Sequence, residues 1–87
     1  MPPTVLITGA SSGIGAATAR QFLDAGWTVY ATARDVADIS DLADAGCRTA
    51  ALDVTDDAAV ADVVGLVEDE TGGLDCLVNN AGYGQFG

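Results

Sequence analysis

The chain has 87 residues, room for one small domain, and 49% of them are hydrophobic, which suits a packed core and excludes a disordered chain. Eleven Asp and two Glu face three Arg and no Lys, giving a net charge of −10. So negative a surface repels nucleic acid and anionic membranes, and no apolar run approaches the roughly 20 residues of a membrane helix.

Met1-Pro2-Pro3-Thr4 carries no basic region, so no secretory leader is expected and the default location is the cytoplasm. The Asp-rich, Lys-free composition fits a halophilic source and a GC-rich genome about equally. Cys47 and Cys76 read as reduced, buried thiols, with a disulfide as the alternative. The chain has no His, so His-dependent triads and His metal sites are not expected.

Val5-Leu6-Ile7 is continuously apolar, as in a central strand covered on both faces. Gly13 to Ala25 reads as a helix. Gly15, Ala16, Ala19, Phe22 and Leu23 share one arc, Arg20, Gln21 and Asp24 lie opposite, and Gly26 is the stop. Trp27 to Thr32 is a second strand. Val36 to Ala45 is a second helix with Ile39 and Leu42 inward and Asp38, Asp41 and Asp44 outward. Arg48 to Leu52 is a third strand. Thr55 is the expected cap of a third helix, whose Val60, Val63, Val64 and Val67 follow the i, i+3, i+4, i+7 pattern. Leu74 to Asn79 is a fourth strand, and Ala81 to Gly87 reads as a Gly-rich loop.

The order βαβαβαβ implies an α/β fold, a Rossmann-like doubly wound parallel sheet with right-handed crossovers. The first two helices cover one face. The third returns across the other, so the fourth strand lies beside the first and the strand order is 3-2-1-4. Ligands of such sheets bind at the switch point, here between strands one and four.

The first strand runs directly into Thr8-Gly9-Ala10-Ser11-Ser12-Gly13-Ile14-Gly15. A Gly-rich turn between strand and helix lets backbone N–H groups and the positive helix end face an anion such as a pyrophosphate. Ser11 and Ser12 add hydroxyl donors. The spacing matches neither the P-loop, which needs a Lys, nor the G-x-G-x-x-G fingerprint.

Thr8-Gly9-x-x-x-Gly13-x-Gly15, Asp53-Val54-Thr55 after strand three and Asn79-Asn80-Ala81-Gly82 after strand four resemble, in this order, three motifs of the short-chain dehydrogenase/reductase family. The resemblance implies that Gly9, Ser11, Ser12, Gly13, Ile14 and Gly15 cradle a pyrophosphate. It implies that Asp53, with the backbone at Val54, meets the adenine amino group. Asn80, Ala81 and Gly82 would line the ribose and nicotinamide side, while Asn79 ties strand four to the sheet.

Cofactor choice turns on the end of strand two. An acid there would hold a ribose 2′-hydroxyl and select NAD, and a cation would hold a 2′-phosphate and select NADP. Ala33 stands where the acid is expected and Arg34 follows, which favours NADP(H). Asp35, able to pair with Arg34 or take the ribose itself, keeps NAD(H) open. The family's chemistry is hydride transfer between nicotinamide and a carbonyl or alcohol, with proton transfer by Tyr-x-x-x-Lys. The 87 residues hold no Lys, and no catalytic residue is assigned.

Residues 1–87 therefore read as the N-terminal part of a single dinucleotide-binding Rossmann domain. A non-catalytic dinucleotide-binding module or a scaffold is the alternative. The fourth strand would be left as an open edge, so the isolated chain is expected to associate, and the full-length parent to form a homo-oligomer acting on a small carbonyl or alcohol.

Overall fold

The structure is a computed structural model and describes residues 2–80. Its elements are β1 (Thr4–Thr8), α1 (Gly13–Asp24), β2 (Thr28–Ala33), a 3₁₀ turn (Val36–Ile39), α2 (Ser40–Ala45), β3 (Arg48–Ala51), α3 (Asp57–Thr71) and β4 (Cys76–Asn79). The four strands pair in the order β3-β2-β1-β4, all parallel. This is the expected Rossmann-like order, with β1 inside and fully buried.

The register explains the two faces. Val5 lies opposite Val29 and Cys76, and Ile7 lies opposite Ala31 and Val78. Because strand side chains alternate, these residues share one face, and they pack with Ala19 of α1 and with Ile39, Leu42 and Cys47. Leu6 and Tyr30, opposite each other in the register, share the other face and pack with Leu52 and with Val63 and Val67 of α3. α1 and α2 thus cover one side and α3 the other. Both cysteines are free. Among the described residues no helix is long and apolar enough to cross a membrane.

Two boundaries differ from expectation. The second helix is broken. Asp35 caps a 3₁₀ turn by accepting from the Ala37 amide at 3.0 Å, and Ile39 then takes a non-helical conformation (φ −121°, ψ 24°) before α2 begins. Ile39 is 1% exposed, and its burial outweighs a continuous hydrogen-bond ladder. The cap of α3 is also not Thr55. Asp56 caps it, accepting from the amides of Ala58 and Ala59 at 3.1 and 3.3 Å, because Thr55 is engaged by Asp53. Ala81 to Gly87, expected as a loop, lies outside the described residues.

On the α3 face, three polar side chains from three elements meet. The Tyr30 hydroxyl donates to Glu70 at 2.5 Å and accepts from Arg48 at 2.8 Å. Arg48 and Glu70 are 3.6 Å apart, and the guanidinium lies 5.5 Å from the Tyr30 ring centre. The group fastens the C-terminal end of α3 to β2 and β3.

Candidate functional site

The expected site residues gather at the C-terminal edge of the sheet, in two groups. The first lies where β1 ends beside β4. Gly9 turns the chain with φ 63°, a conformation that costs a residue with a Cβ about 1–2 kcal/mol. The Ala10 amide then bonds to the Thr32 carbonyl at 2.9 Å, pinning the loop to β2. The chain enters α1 at Ser12, its N-cap.

The Ser12 hydroxyl is spent within the turn. It accepts from the Gly15 amide at 3.0 Å and donates to the Gly9 carbonyl at 3.1 Å. Its oxygen serves the cap and its one proton goes to the Gly9 carbonyl, so in this structure the hydroxyl shapes the turn. Asn80, from just past β4, donates through Nδ2 to the same Ser12 hydroxyl at 2.8 Å and to the Gly9 carbonyl at 3.1 Å. One residue earlier, Asn79 Oδ1 accepts from the Thr8 hydroxyl at 3.1 Å, tying β4 to β1 as expected.

Two of the glycines do different work. A Cβ on Gly15 would lie 2.4 Å from the Gly9 carbonyl oxygen, 2.9 Å from the Ala10 Cα and 3.0 Å from Asn80 Nδ2. Only a hydrogen fits there, so Gly15 lets α1 approach the loop. A Cβ on Gly13 would meet nothing within 4 Å, so Gly13 faces open space. Around it the amides of Ser11, Gly13 and Ile14 have no acceptor among the described residues, and Ser11 and Ile14 are exposed. Three N–H donors at a helix N-terminus, without an acceptor among the described residues, suit an anion.

The second group lies where β2 and β3 end. Arg34 follows β2, and its Nε is 4.0 Å from Oδ1 of Asp53, with both side chains largely exposed. Asp53 accepts from the Thr55 hydroxyl at 2.6 Å and the Thr55 amide at 3.0 Å. The Thr55 hydroxyl chiefly, then its amide, with Arg34 adding to both, holds the Asp53 carboxyl below its ordinary value. Val54 turns its side chain toward the α3 cluster. Asp35 caps the 3₁₀ turn through one carboxylate oxygen. Ala81 and Gly82, also expected at the site, lie outside the described residues.

Thr55 anchors Asp53, a contact beyond the motifs, although the Asp-x-Thr spacing is a signal for an Asx turn. No local pattern reveals the bond from Asn80 to Ser12, because the two residues are 68 positions apart.

A parallel sheet ordered 3-2-1-4, with a Gly-rich turn and helix N-terminus at its switch point, defines a Rossmann-type nucleotide-binding fold. Comparison with known proteins narrows the class. The chain belongs to the short chain dehydrogenase family, whose profile matches residues 3–87. It is 42% identical over 87 residues to sulfoacetaldehyde reductase 2 of Chromohalobacter salexigens, covering 94% of this chain and 34% of that protein. A short-chain dehydrogenase crystal structure from Streptomyces avermitilis superposes with a TM-score of 0.86 at 40% identity, over 92% of this chain and 31% of the other. A metagenomic short-chain oxidoreductase solved in complex with NADP gives a TM-score of 0.79 at 37% identity, over 90% of this chain and 38% of that one. The chain spans about a third of the length of the curated relatives it matches. Those relatives are named as reductases and dehydrogenases.

Proposed function

We propose that residues 1–87 are the cofactor-binding N-terminal part of a single Rossmann domain, in an NADP(H)-dependent oxidoreductase that works on a small carbonyl or alcohol. The observation that carries this reading is the open cradle at Gly13, where the free amides of Ser11, Gly13 and Ile14 fit a pyrophosphate. Gly9, Ser12 and Gly15 shape that cradle. Asp53, with the Val54 backbone, takes the adenine amino group, and Asn80, Ala81 and Gly82 border the ribose and nicotinamide side.

NADP(H) is favoured over NAD(H) on three counts. Ala33 stands where an acid would hold a 2′-hydroxyl. Arg34 is exposed beside the adenine end. Asp35, the acid that would favour NAD(H), already serves as a cap. The NADP complex of a structural relative is consistent with this choice. When bound, the dinucleotide supplies hydride chemistry. These residues bind and orient it, and the 87 residues contribute no Lys to a Tyr-x-x-x-Lys proton relay. Cytoplasmic residence and a homo-oligomeric parent protein complete the proposal.

Titration with NADPH and NADH, read by nicotinamide fluorescence, tests it. Saturable binding with NADPH at least about tenfold tighter, the margin one charge-assisted contact provides, is the expected result. Binding of neither dinucleotide rejects the reading, and equal binding rejects the NADP(H) preference.

A further inference from the structure

We infer that Thr55 is a positioning residue for the nucleobase: it holds one oxygen of Asp53, so that the other is presented to an exocyclic amine and the site selects adenine over a 6-oxo purine. The inference rests on the dinucleotide reading above and deepens it.

Two donors from one residue converge on one carboxylate oxygen. Oδ1 of Asp53 accepts from the Thr55 hydroxyl at 2.6 Å and from the Thr55 amide at 3.0 Å. Arg34 Nε, at 4.0 Å, faces the same Oδ1. Among the described residues Oδ2 accepts no hydrogen bond. The carboxylate is thus divided into a fixed oxygen and a free one. The Asp53 side chain is half exposed, so its orientation comes from Thr55 and not from burial.

The backbone beneath it is fixed on both sides. The Leu52 amide bonds to the Ala33 carbonyl at 2.8 Å, and the Asp56 amide bonds to the Asp53 carbonyl at 3.0 Å. With the chain held, the freedom left to Asp53 lies in its side-chain torsions, and Thr55 restrains those. An acceptor oriented in advance binds more tightly, because its torsional freedom is lost before the ligand arrives.

Charge completes the selection. Thr55, through its hydroxyl first and then its amide, with Arg34 adding to both, holds the Asp53 carboxyl below its ordinary value. The group is therefore ionised near neutrality and can only accept. The 6-amino group of adenine donates to such an oxygen. The 6-oxo group of hypoxanthine is itself an acceptor and is repelled by it. Without the Thr55 hydroxyl the carboxylate is free to turn toward Arg34, and the base loses its oriented partner.

The test measures two affinities in each chain. The probes are NADPH and its deaminated analogue, reduced nicotinamide hypoxanthine dinucleotide phosphate, which differ in the purine 6-substituent. The unaltered chain should bind NADPH at least about tenfold more tightly. Thr55→Val keeps the shape and the amide and removes the hydroxyl. It should lower that ratio about fivefold, by weakening NADPH and leaving the analogue within about twofold, as for one exposed charge-assisted contact. Thr55→Ser returns the hydroxyl and should return the ratio. Melting temperatures are recorded beside the affinities, and Thr55→Ala replaces a Thr55→Val chain that does not melt cooperatively. Equal weakening of both probes in Thr55→Val would make Thr55 a support of the loop alone, and the inference would be overturned. A ratio that Thr55→Val leaves unchanged, or that Thr55→Ser lowers as far, would overturn it too. Binding of both probes by the unaltered chain without preference rejects the inference and leaves the dinucleotide reading standing. Binding of neither rejects that reading and the inference with it.

Discussion

The guanidinium of Arg34 and the carboxylate of Asp53 face each other across the ends of β2 and β3, Nε 4.0 Å from Oδ1. Thr55 fixes the acid through its hydroxyl and its amide. The base is therefore held beside the proposed adenine end by a partner that is itself anchored. A 2′-phosphate arriving there would gain the cation and meet the repulsion of the anion.

Opposite effects on cofactor choice follow from the two members of this pair. Arg34→Ala should lower the preference for NADPH over NADH by about tenfold, since an exposed charge-assisted contact lies at the modest end of its range. Asp53→Asn should raise that preference by about two- to fivefold, because the adenine contact proposed for it is common to both dinucleotides and cancels in the ratio. Paired titrations give the two ratios. A shift of both in the same direction would contradict the account.

Alanine at the two loop glycines should separate stability from binding. Gly15→Ala drives a Cβ to 2.4 Å from a backbone oxygen, at a cost of about 3 kcal/mol, the upper end for overpacking. Gly13→Ala meets nothing within 4 Å and sits in the first turn of α1. It should stabilise the fold by about 0.5 kcal/mol through the unfolded chain. Its methyl group occupies the cradle, so NADPH binding should weaken at least about tenfold, the factor for about 1.4 kcal/mol of lost contact. Thermal melts beside titrations decide the matter. A Gly13→Ala variant with unchanged affinity would move the pyrophosphate elsewhere.

Alkaline stability should depend on Tyr30. Burial chiefly, then the bond to Glu70, raises its phenol above the ordinary 10.0, against the opposing pull of Arg48. The protonated phenol therefore supports the fold below about pH 10, and that support is lost as pH rises through the higher folded value. Tyr30→Phe should begin about 1 kcal/mol less stable, having lost the bonds to Glu70 and Arg48, and should lack the alkaline decline assigned to the phenol. Denaturation curves from about pH 8 upward compare the two chains. Parallel declines would remove Tyr30 from the explanation.

Added salt should stabilise the chain. Arg20, Arg34 and Arg48 each lie within 4.0 Å of a carboxylate, while the net charge is −10. Screening weakens three exposed pairs worth little and relieves repulsion among the unpaired acids. The melting temperature should rise by roughly 4–8 °C between low salt and about 1 M NaCl, as for about 1 kcal/mol in a domain of this size. A steady fall would show that the pairs matter more than the excess.

The sheet was legible because its patterns are local. Val5-Leu6-Ile7 marks a strand covered on both sides, and the valines at i, i+3, i+4 and i+7 mark the inner face of α3. Strand order followed from the alternation of elements. What escaped was competition between neighbours. Thr55 has the chemistry of a cap, yet Asp53 takes its hydroxyl and Asp56 takes the helix end. Asp35 was open to a ribose or to Arg34, and the Ala37 amide claims it. Ser12 offered a hydroxyl proton to an anion, and the Gly9 carbonyl accepts it. Each outcome depends on distances that spacing along a chain does not encode.

The bonds from Asn80 to Gly9 and Ser12, 71 and 68 residues apart, also set an order of events during synthesis. The Gly-rich turn leaves the ribosome before β4. Its last partner follows several seconds later at roughly 5–20 residues per second. Until β4 docks beside β1, the Gly9 carbonyl has only its local bonds from Ser12, and contacts of such sequence separation form slowly. A dinucleotide that needs the turn completed by Asn80 binds after the sheet has closed, so it should slow unfolding while leaving the rate of refolding unchanged.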